Sequence, residues 1–218
     1  MILAVVGGKG GVGTSTVALE LGLRLDAVVV DADLSMADLP TARGPDLHDV
    51  LAGRASPVEA VREGGAVSIL PCGRTLAGAR ACDVGRLGEA LGAVARQYGD
   101  VVVDCAAGMR ADVGVPLAVA DACVVVTAPA RPAFADAIRV RELARSFDAG
   151  LAAIAYNRAD GVPDAVERTL GAPGVAIPKD ETVRRARRSG YPAGALFPDA
   201  PASAGFEALA DAVRACGL

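Results

Sequence analysis

Ten residues early in the chain, Gly7-Gly8-Lys9-Gly10-Gly11-Val12-Gly13-Thr14-Ser15-Thr16, restrict its fold more than any other stretch. They follow the apolar, β-branched run Ile2-Leu3-Ala4-Val5-Val6, which reads as a buried strand, and precede Val17-Ala18-Leu19-Glu20-Leu21-Gly22-Leu23-Arg24, which reads as a helix. Five glycines fall in the seven positions from Gly7 to Gly13, so the backbone can turn its N–H groups inward. The start of the helix adds unpaired N–H groups and a partial positive charge. Strand, glycine loop and helix in this order make a site for an anion, phosphate above all.

The rest of the chain repeats the alternation. Ala27-Val28-Val29-Val30 is a second strand ending in Asp31-Ala32-Asp33, and a helical connection of this length predicts a right-handed βαβ unit. Residues 46–53 and 56–63 read as short helices, each opened by a capping residue and the second with Pro57 at its first position. Residues 67–71 are strand-like and 83–98 a longer amphipathic helix. Strands are expected at 101–103, 122–126, 151–156 and 174–177, and helices at 132–147, 181–189 and 202–215. Nearly all-apolar strands alternating with helices predict an α/β protein with a mostly parallel central sheet and helices on both faces. The glycine loop, Asp31 and Asp33, Asp104, Thr127, Asn157 and Asp180 each fall just past a strand's carboxyl end. In a parallel sheet those ends share the edge where ligands bind.

At 218 residues the chain fits one large domain spanning 1–218, with no linker, repeat or low-complexity stretch to divide it. A net charge of -4 argues against a surface that coats nucleic acid, though not against a local basic patch. Cys72, Cys82, Cys105, Cys123 and Cys216 form no C-x-x-C pair, which disfavours a zinc site. Without a secretory signal they point to reduced thiols in a cytoplasmic protein. No apolar run reaches the ~20 residues of a transmembrane helix. Lys9 and Lys179 are the two lysines beside twenty arginines, so the lysine in the loop stands out for its compact, flexible ammonium.

Against the P-loop pattern G-x-x-x-x-G-K-[ST], the register runs Gly8, Gly13, Thr14 in place of the lysine, then Ser15. GGKGGVGTST, with its early Lys9, resembles the deviant Walker A motif of the MinD/ParA family of ATPases, and the resemblance extends along nearly the whole chain. It implies a P-loop NTPase fold binding ATP or ADP with Mg²⁺. Gly8, Lys9, Gly10, Gly11, Val12, Gly13, Thr14, Ser15 and Thr16 would cradle the phosphates, and Lys9 would reach the nucleotide of a second subunit in an ATP-sandwiched homodimer. Ser15 would ligate Mg²⁺; the other reading is an ordinary helix-capping serine. Asp104, ending Val101-Val102-Val103, resembles the Walker B aspartate, or else caps a turn.

Asp31-Ala32-Asp33 resembles the family's first switch segment, which would place Asp31 near the metal and have Asp33 orient the attacking water. Two acids on alternate positions share a side, and a cation relieves their repulsion; the other reading is a pair of solvated acids opening a loop. Gly108 with Ala107 matches the second switch segment, whose backbone senses the γ-phosphate. Asn157 and Arg158, with Pro178, Lys179 and Asp180 of Ile177-Pro178-Lys179-Asp180, match the segments that read and close over the adenine. An amide both donates and accepts, as a purine edge requires. Without the family, both are turns.

Thr14 is the departure. A lysine there bridges the β- and γ-phosphates, whereas a hydroxyl only hydrogen-bonds. Losing one charge-assisted donor costs about 1.5–3 kcal/mol in binding. Its loss from a transition state costs about 3–4 kcal/mol, a factor of roughly 10² to 10³ in rate. The expectation is a slow ATPase acting as a positional or regulatory switch, with a non-hydrolysing ATP-binding scaffold as the alternative. Arg184, Arg185, Arg187 and Arg188 suggest either a partition-type DNA patch or a solvated helix face. Phe206, Leu209, Ala210 and Val213 form a stripe opposite acids, which predicts packing on the domain rather than membrane targeting. An iron–sulfur relative bridged through Cys105 or Cys72 is disfavoured by the contexts of those cysteines. The protein partner is unspecified.

Overall fold

The computed structural model describes the chain except Ser35, Met36, Asp38, Thr41, Ala42, Met109, Arg110 and Leu218. Its elements in order are β1 (Ile2–Gly7), α1 (Thr14–Leu25), β2 (Val28–Asp31), α2 (Leu47–Leu51), α3 (Pro57–Ala60), β3 (Ile69–Leu70) and α4 (Leu76–Ala81). A 3₁₀ turn (Val84–Arg86) then leads into α5 (Leu87–Tyr98), β4 (Val101–Asp104), α6 (Ala111–Val119), β5 (Ala122–Thr127), α7 (Arg131–Ser146) and β6 (Gly150–Asn157). The chain finishes with α8 (Asp164–Leu170), β7 (Gly174–Ile177), α9 (Glu181–Arg188), α10 (Ala193–Leu196) and α11 (Pro201–Arg214).

The strands form one parallel sheet in the order β3-β2-β4-β1-β5-β6-β7. Successive side chains of a strand face opposite ways, and both faces here are apolar. In β1, Leu3 and Val5 pack with α1 and α11 through Leu21, Phe206 and Leu209. Ala4 and Val6 pack on the other face with residues of α5, α6 and α7, including Leu91, Leu117 and Val140. Each fully buried leucine, such as Leu3 or Leu21, contributes about 1.5–3 kcal/mol of transfer free energy. The C-terminal stripe predicted to pack inward does so: Phe206, Leu209, Ala210 and Val213 are all buried.

The differences from the sequence expectation are local. The strand predicted at 67–71 shrinks to Ile69–Leu70, which pairs with β2 at two positions, and Arg62 bridges to Ile69 on its other edge. The helix predicted at 83–98 begins as a 3₁₀ turn capped by Asp83, and a further helix, α4, is opened by the Thr75 side chain accepting from the Gly78 N–H. The two short helices contract to α2 and α3, each held by a capping box, Asp46 with Asp49 and Ser56 with Glu59.

A charged pair, Glu20 with Arg24, lies inside the fold. Glu20, 1% exposed, accepts from Arg24 Nη1 at 2.5 Å and from the N–H groups of Ala193 and Gly194. Arg24 also donates to the Ser203 carbonyl at 3.0 Å, joining α1 to α10 and α11. Among the described residues, no helix is long and apolar enough to cross a membrane.

Candidate functional site

The central strand β1 ends at buried Gly7, and the loop that follows must pass close to its neighbours. A Cβ on Gly8 would stand 2.3 Å from the Asp136 carbonyl oxygen of α7, so only glycine allows that approach. Gly11 (φ 84) and Gly13 (φ 106) take left-handed backbone, which glycine adopts without strain. A Cβ on Gly13 would lie 2.2 Å from Asn157 Nδ2, and that amide donates to the Val12 carbonyl at 2.7 Å. Nothing lies within 4 Å of a Cβ built on Gly10 or Gly11, both of which are exposed. Helix α1 starts at Gly13 with no side-chain cap, which leaves its first-turn N–H groups to a ligand or water. A glycine loop with left-handed residues leading into an uncapped helix start fits a phosphate chain. Lys9 is exposed on the loop, Ser15 is half-buried at the start of α1, and the Thr14 hydroxyl lies back over Gly7, 2.5 Å from where a Cβ there would be.

On one side of the loop stand the acids. Asp31 and Asp104 are opposite each other in the β2–β4 register, and Asp104 is also opposite Val5 of β1; both are buried at the strand ends. Asp31 accepts from the N–H groups of Asp33 and Leu39, each at 3.3 Å, and so organises the loop after β2. Asp33 itself is half-buried. Gly108 (φ 99) donates its N–H to the Gly7 carbonyl at 3.3 Å, tying the segment after β4 to the loop. Two buried carboxylates on adjacent strands, with the Ser15 hydroxyl at the start of α1, are hard oxygen donors of the kind Mg²⁺ takes. No group of three or more His, Cys, Asp or Glu arranged to hold a metal occurs among the described residues. Mg²⁺ bound largely through phosphate oxygens and water requires only one or two carboxylates.

On the other side, beyond β6 and β7, lies a cavity of about 680 Å³. Six of its lining residues, Thr16, Asn157, Arg158, Pro178, Lys179 and Asp180, were expected from the sequence to contact the nucleotide. Asn157 and Ile177 are register partners, which brings the turns after β6 and β7 together. Arg158 is an exposed residue in left-handed backbone (φ 63). Asp180 caps α9: its carboxylate accepts from the Thr182 hydroxyl at 2.7 Å, the Thr182 N–H at 2.8 Å and the Ala202 N–H at 3.3 Å. The hydroxyl bond foremost, then the N–H bonds, hold its pKa below the ordinary aspartate value.

The sequence reading did not place Glu181, Val183, Arg184, Arg187 and Arg188 at this site, yet they form the cavity's outer wall. The signal was present as an arginine-rich helix directly after Pro178-Lys179-Asp180. Its orientation depends on where buried Ala186 packs. Thr127, buried at the end of β5 and next to Val126, the register partner of Gly7, was read only as a strand-end polar residue. Its hydroxyl has no hydrogen-bond partner among the described residues.

A central parallel strand, a glycine loop with left-handed residues and an uncapped helix, set between strand-end acids and a basic cavity, define the P-loop class of α/β proteins. No family model matches the chain. An uncharacterized ATP-binding protein of Methanocaldococcus jannaschii is 30% identical over 219 residues, which is 92% of this chain and 83% of the relative. The crystal structure of the cell division ATPase MinD of Pyrococcus furiosus is similar with a TM-score of 0.91, at 26% identity over 98% of each chain. The septum site-determining protein MinD of Pyrococcus horikoshii, complexed with Mg-ADP, gives a TM-score of 0.90 at 26% identity, over 97% of this chain and 94% of that one. The chain belongs to the MinD/ParA family of ATPases.

Proposed function

We propose that this protein binds ATP and ADP with Mg²⁺ at the glycine loop and works as a switch whose dimerisation depends on the nucleotide, with slow hydrolysis and a positioning or regulatory role. The observation that carries the reading is the glycine loop with left-handed Gly11 and Gly13, which leads into the uncapped start of α1 and is flanked by the Asp31–Asp104 pair. The N–H groups of residues 10–16 bind the phosphate oxygens. Ser15, Asp31 and Asp104 hold the ion and its water shell, and the ion neutralises phosphate charge when bound. Asp33 orients the attacking water, Gly108 reports the terminal phosphate, and exposed Lys9 reaches the nucleotide of a second copy. Asn157, Arg158, Pro178, Lys179 and Asp180 frame the base.

Thr14 favours a second reading, a nucleotide-binding scaffold that does not turn over, because a hydroxyl resting on Gly7 supplies no charge to the reaction. A DNA-binding role for the α9 arginines has less support: Arg184 pairs with Glu181, Arg185 stacks over Phe197 at 5.0 Å, and Arg187 turns to Thr16.

Calorimetric titration with Mg-ADP and Mg-ATP tests binding; no heat and no rise in melting temperature at millimolar nucleotide would overturn the proposal. Single-turnover phosphate release then separates switch from scaffold. A Thr14→Lys variant is expected to accelerate release by about 10² to 10³-fold, and an unchanged rate would refute the role given to Thr14.

A further inference from the structure

The cation missing from the loop at Thr14 has a counterpart elsewhere. Arg187 Nη1 donates to Thr16 Oγ1 at 3.5 Å, across 171 positions of sequence, and Thr16 is buried on the first turn of α1. Arg187 and Thr16 both line the cavity that holds Asn157. Arg187, with Arg188 and Arg74, also lines a smaller depression of about 200 Å³ that includes Ser15, so its guanidinium stands between the nucleoside cavity and the helix start.

Some of the neighbouring charges are already engaged, while Arg158, Lys179 and Arg188 line the cavity beside Arg187. Glu181 pairs with Arg184, Asp180 is held by Thr182 and Ala202, and Arg185 stacks on Phe197. Arg187 makes no ion pair among the described residues; of the two acids that line the same cavity, Glu181 is paired with Arg184 and Asp180 is bonded to Thr182 and Ala202. Helix α9 is firmly placed by buried Ala186 and by the Asp180–Ala202 bond to α11, so Arg187 is not carried by a loose segment.

Orientation along the loop decides which phosphate it meets. The carboxylates and Gly108 lie toward β2 and β4, and the cavity lies toward β6 and β7, with β1 and the glycine loop between them. A nucleotide with its base in the cavity and its terminal phosphate near the acids passes its α-phosphate by Thr16. We infer that Arg187 binds the α-phosphate of the nucleotide through its guanidinium and supplies charge that the loop lacks at Thr14. This rests on the nucleotide reading above. It makes affinity depend on the phosphate next to the ribose, so that AMP, ADP and ATP all draw on the same side chain.

The test is calorimetry of adenosine, AMP and Mg-ADP with the wild-type chain, Arg187→Ala and Arg187→Lys. Removing one charge-assisted donor from a phosphate is expected to weaken AMP and ADP by about 10- to 100-fold, with adenosine binding unchanged. Arg187→Lys is expected to recover part of the loss, since an ammonium keeps the charge but not the planar fork. If the wild-type chain binds ADP and Arg187→Ala binds it equally well, this inference falls and the nucleotide reading stands. An equal loss for adenosine and ADP would mean that Arg187 merely shapes the cavity, and would also overturn it. If the wild-type chain binds no ADP, both fall together.

Discussion

Asn157, the last residue of β6, donates its side-chain amide to the carbonyl of Val12 in the glycine loop at 2.7 Å, joining positions 145 residues apart. The contact fastens the loop to the base-side wall of the cavity, and it sits where a Cβ on Gly13 would intrude. A residue proposed to read the base therefore also sets the shape of the glycine loop.

Loop shape is tested by a double-mutant cycle on Asn157 and Gly13. Asn157→Ala is expected to cost about 1–3 kcal/mol, since it strips a buried hydrogen bond from the Val12 carbonyl. Gly13→Ala adds left-handed strain, about 1–3 kcal/mol, and a clash with the Asn157 amide. Because Asn157→Ala removes the atom that is struck, the double variant should lose less than the sum in urea denaturation. Strict additivity would show that the two residues do not meet.

Arg24→Ala should be among the costlier single changes outside the site. It leaves Glu20, 1% exposed, with only the N–H groups of Ala193 and Gly194 as partners, and breaking one half of a buried pair costs about 3–5 kcal/mol. Glu20→Gln/Arg24→Met, which removes both charges, should recover much of the loss. Chemical denaturation of the three proteins measures this.

Asp180 contributes to acid stability. Its folded pKa is lowered, chiefly by the Thr182 hydroxyl, so its contribution is complete above the unfolded aspartate value near 3.8 and is lost as pH falls through the lower folded value. The stability curve of Asp180→Asn should therefore be flatter than wild type below about pH 4 and parallel to it at neutral pH. Parallel curves throughout would show that the cap is not formed in solution.

The five cysteines should react in an order set by burial. Cys216 is exposed and Cys82 half-buried, whereas desolvation raises Cys72 and Cys105 and pushes Cys123 up to about 12. At pH 8 a disulfide reagent is expected to label Cys216 first, Cys82 more slowly, and the other three only after denaturation. Rapid labelling of three or more thiols in the folded protein would contradict this packing.

Much of this was legible in short windows of sequence. The apolar run before Gly7 and the glycines after it specify strand, loop and helix, because hydrophobic period and left-handed backbone are local demands. The acids at 31, 33 and 104 announced their strand ends for the same reason. Less was legible where a boundary depends on a distant partner. β3 pairs with β2 over just two residues, and Leu76–Ala81 forms a helix in a stretch with no clear period.

Strand order belongs to the packed chain. β4 enters between β1 and β2, and that insertion sets Asp104 opposite Asp31 and beside the loop; no local signal in either strand distinguishes this order from another. The arginines of α9 read as a solvated face or a nucleic-acid patch until Ala186 is buried against the body of the protein and turns Arg187 to Thr16. Local chemistry chose the elements and their ends. Burial of two apolar sheet faces chose which ends meet, because a side chain's neighbours across 171 positions follow from packing and not from its own segment.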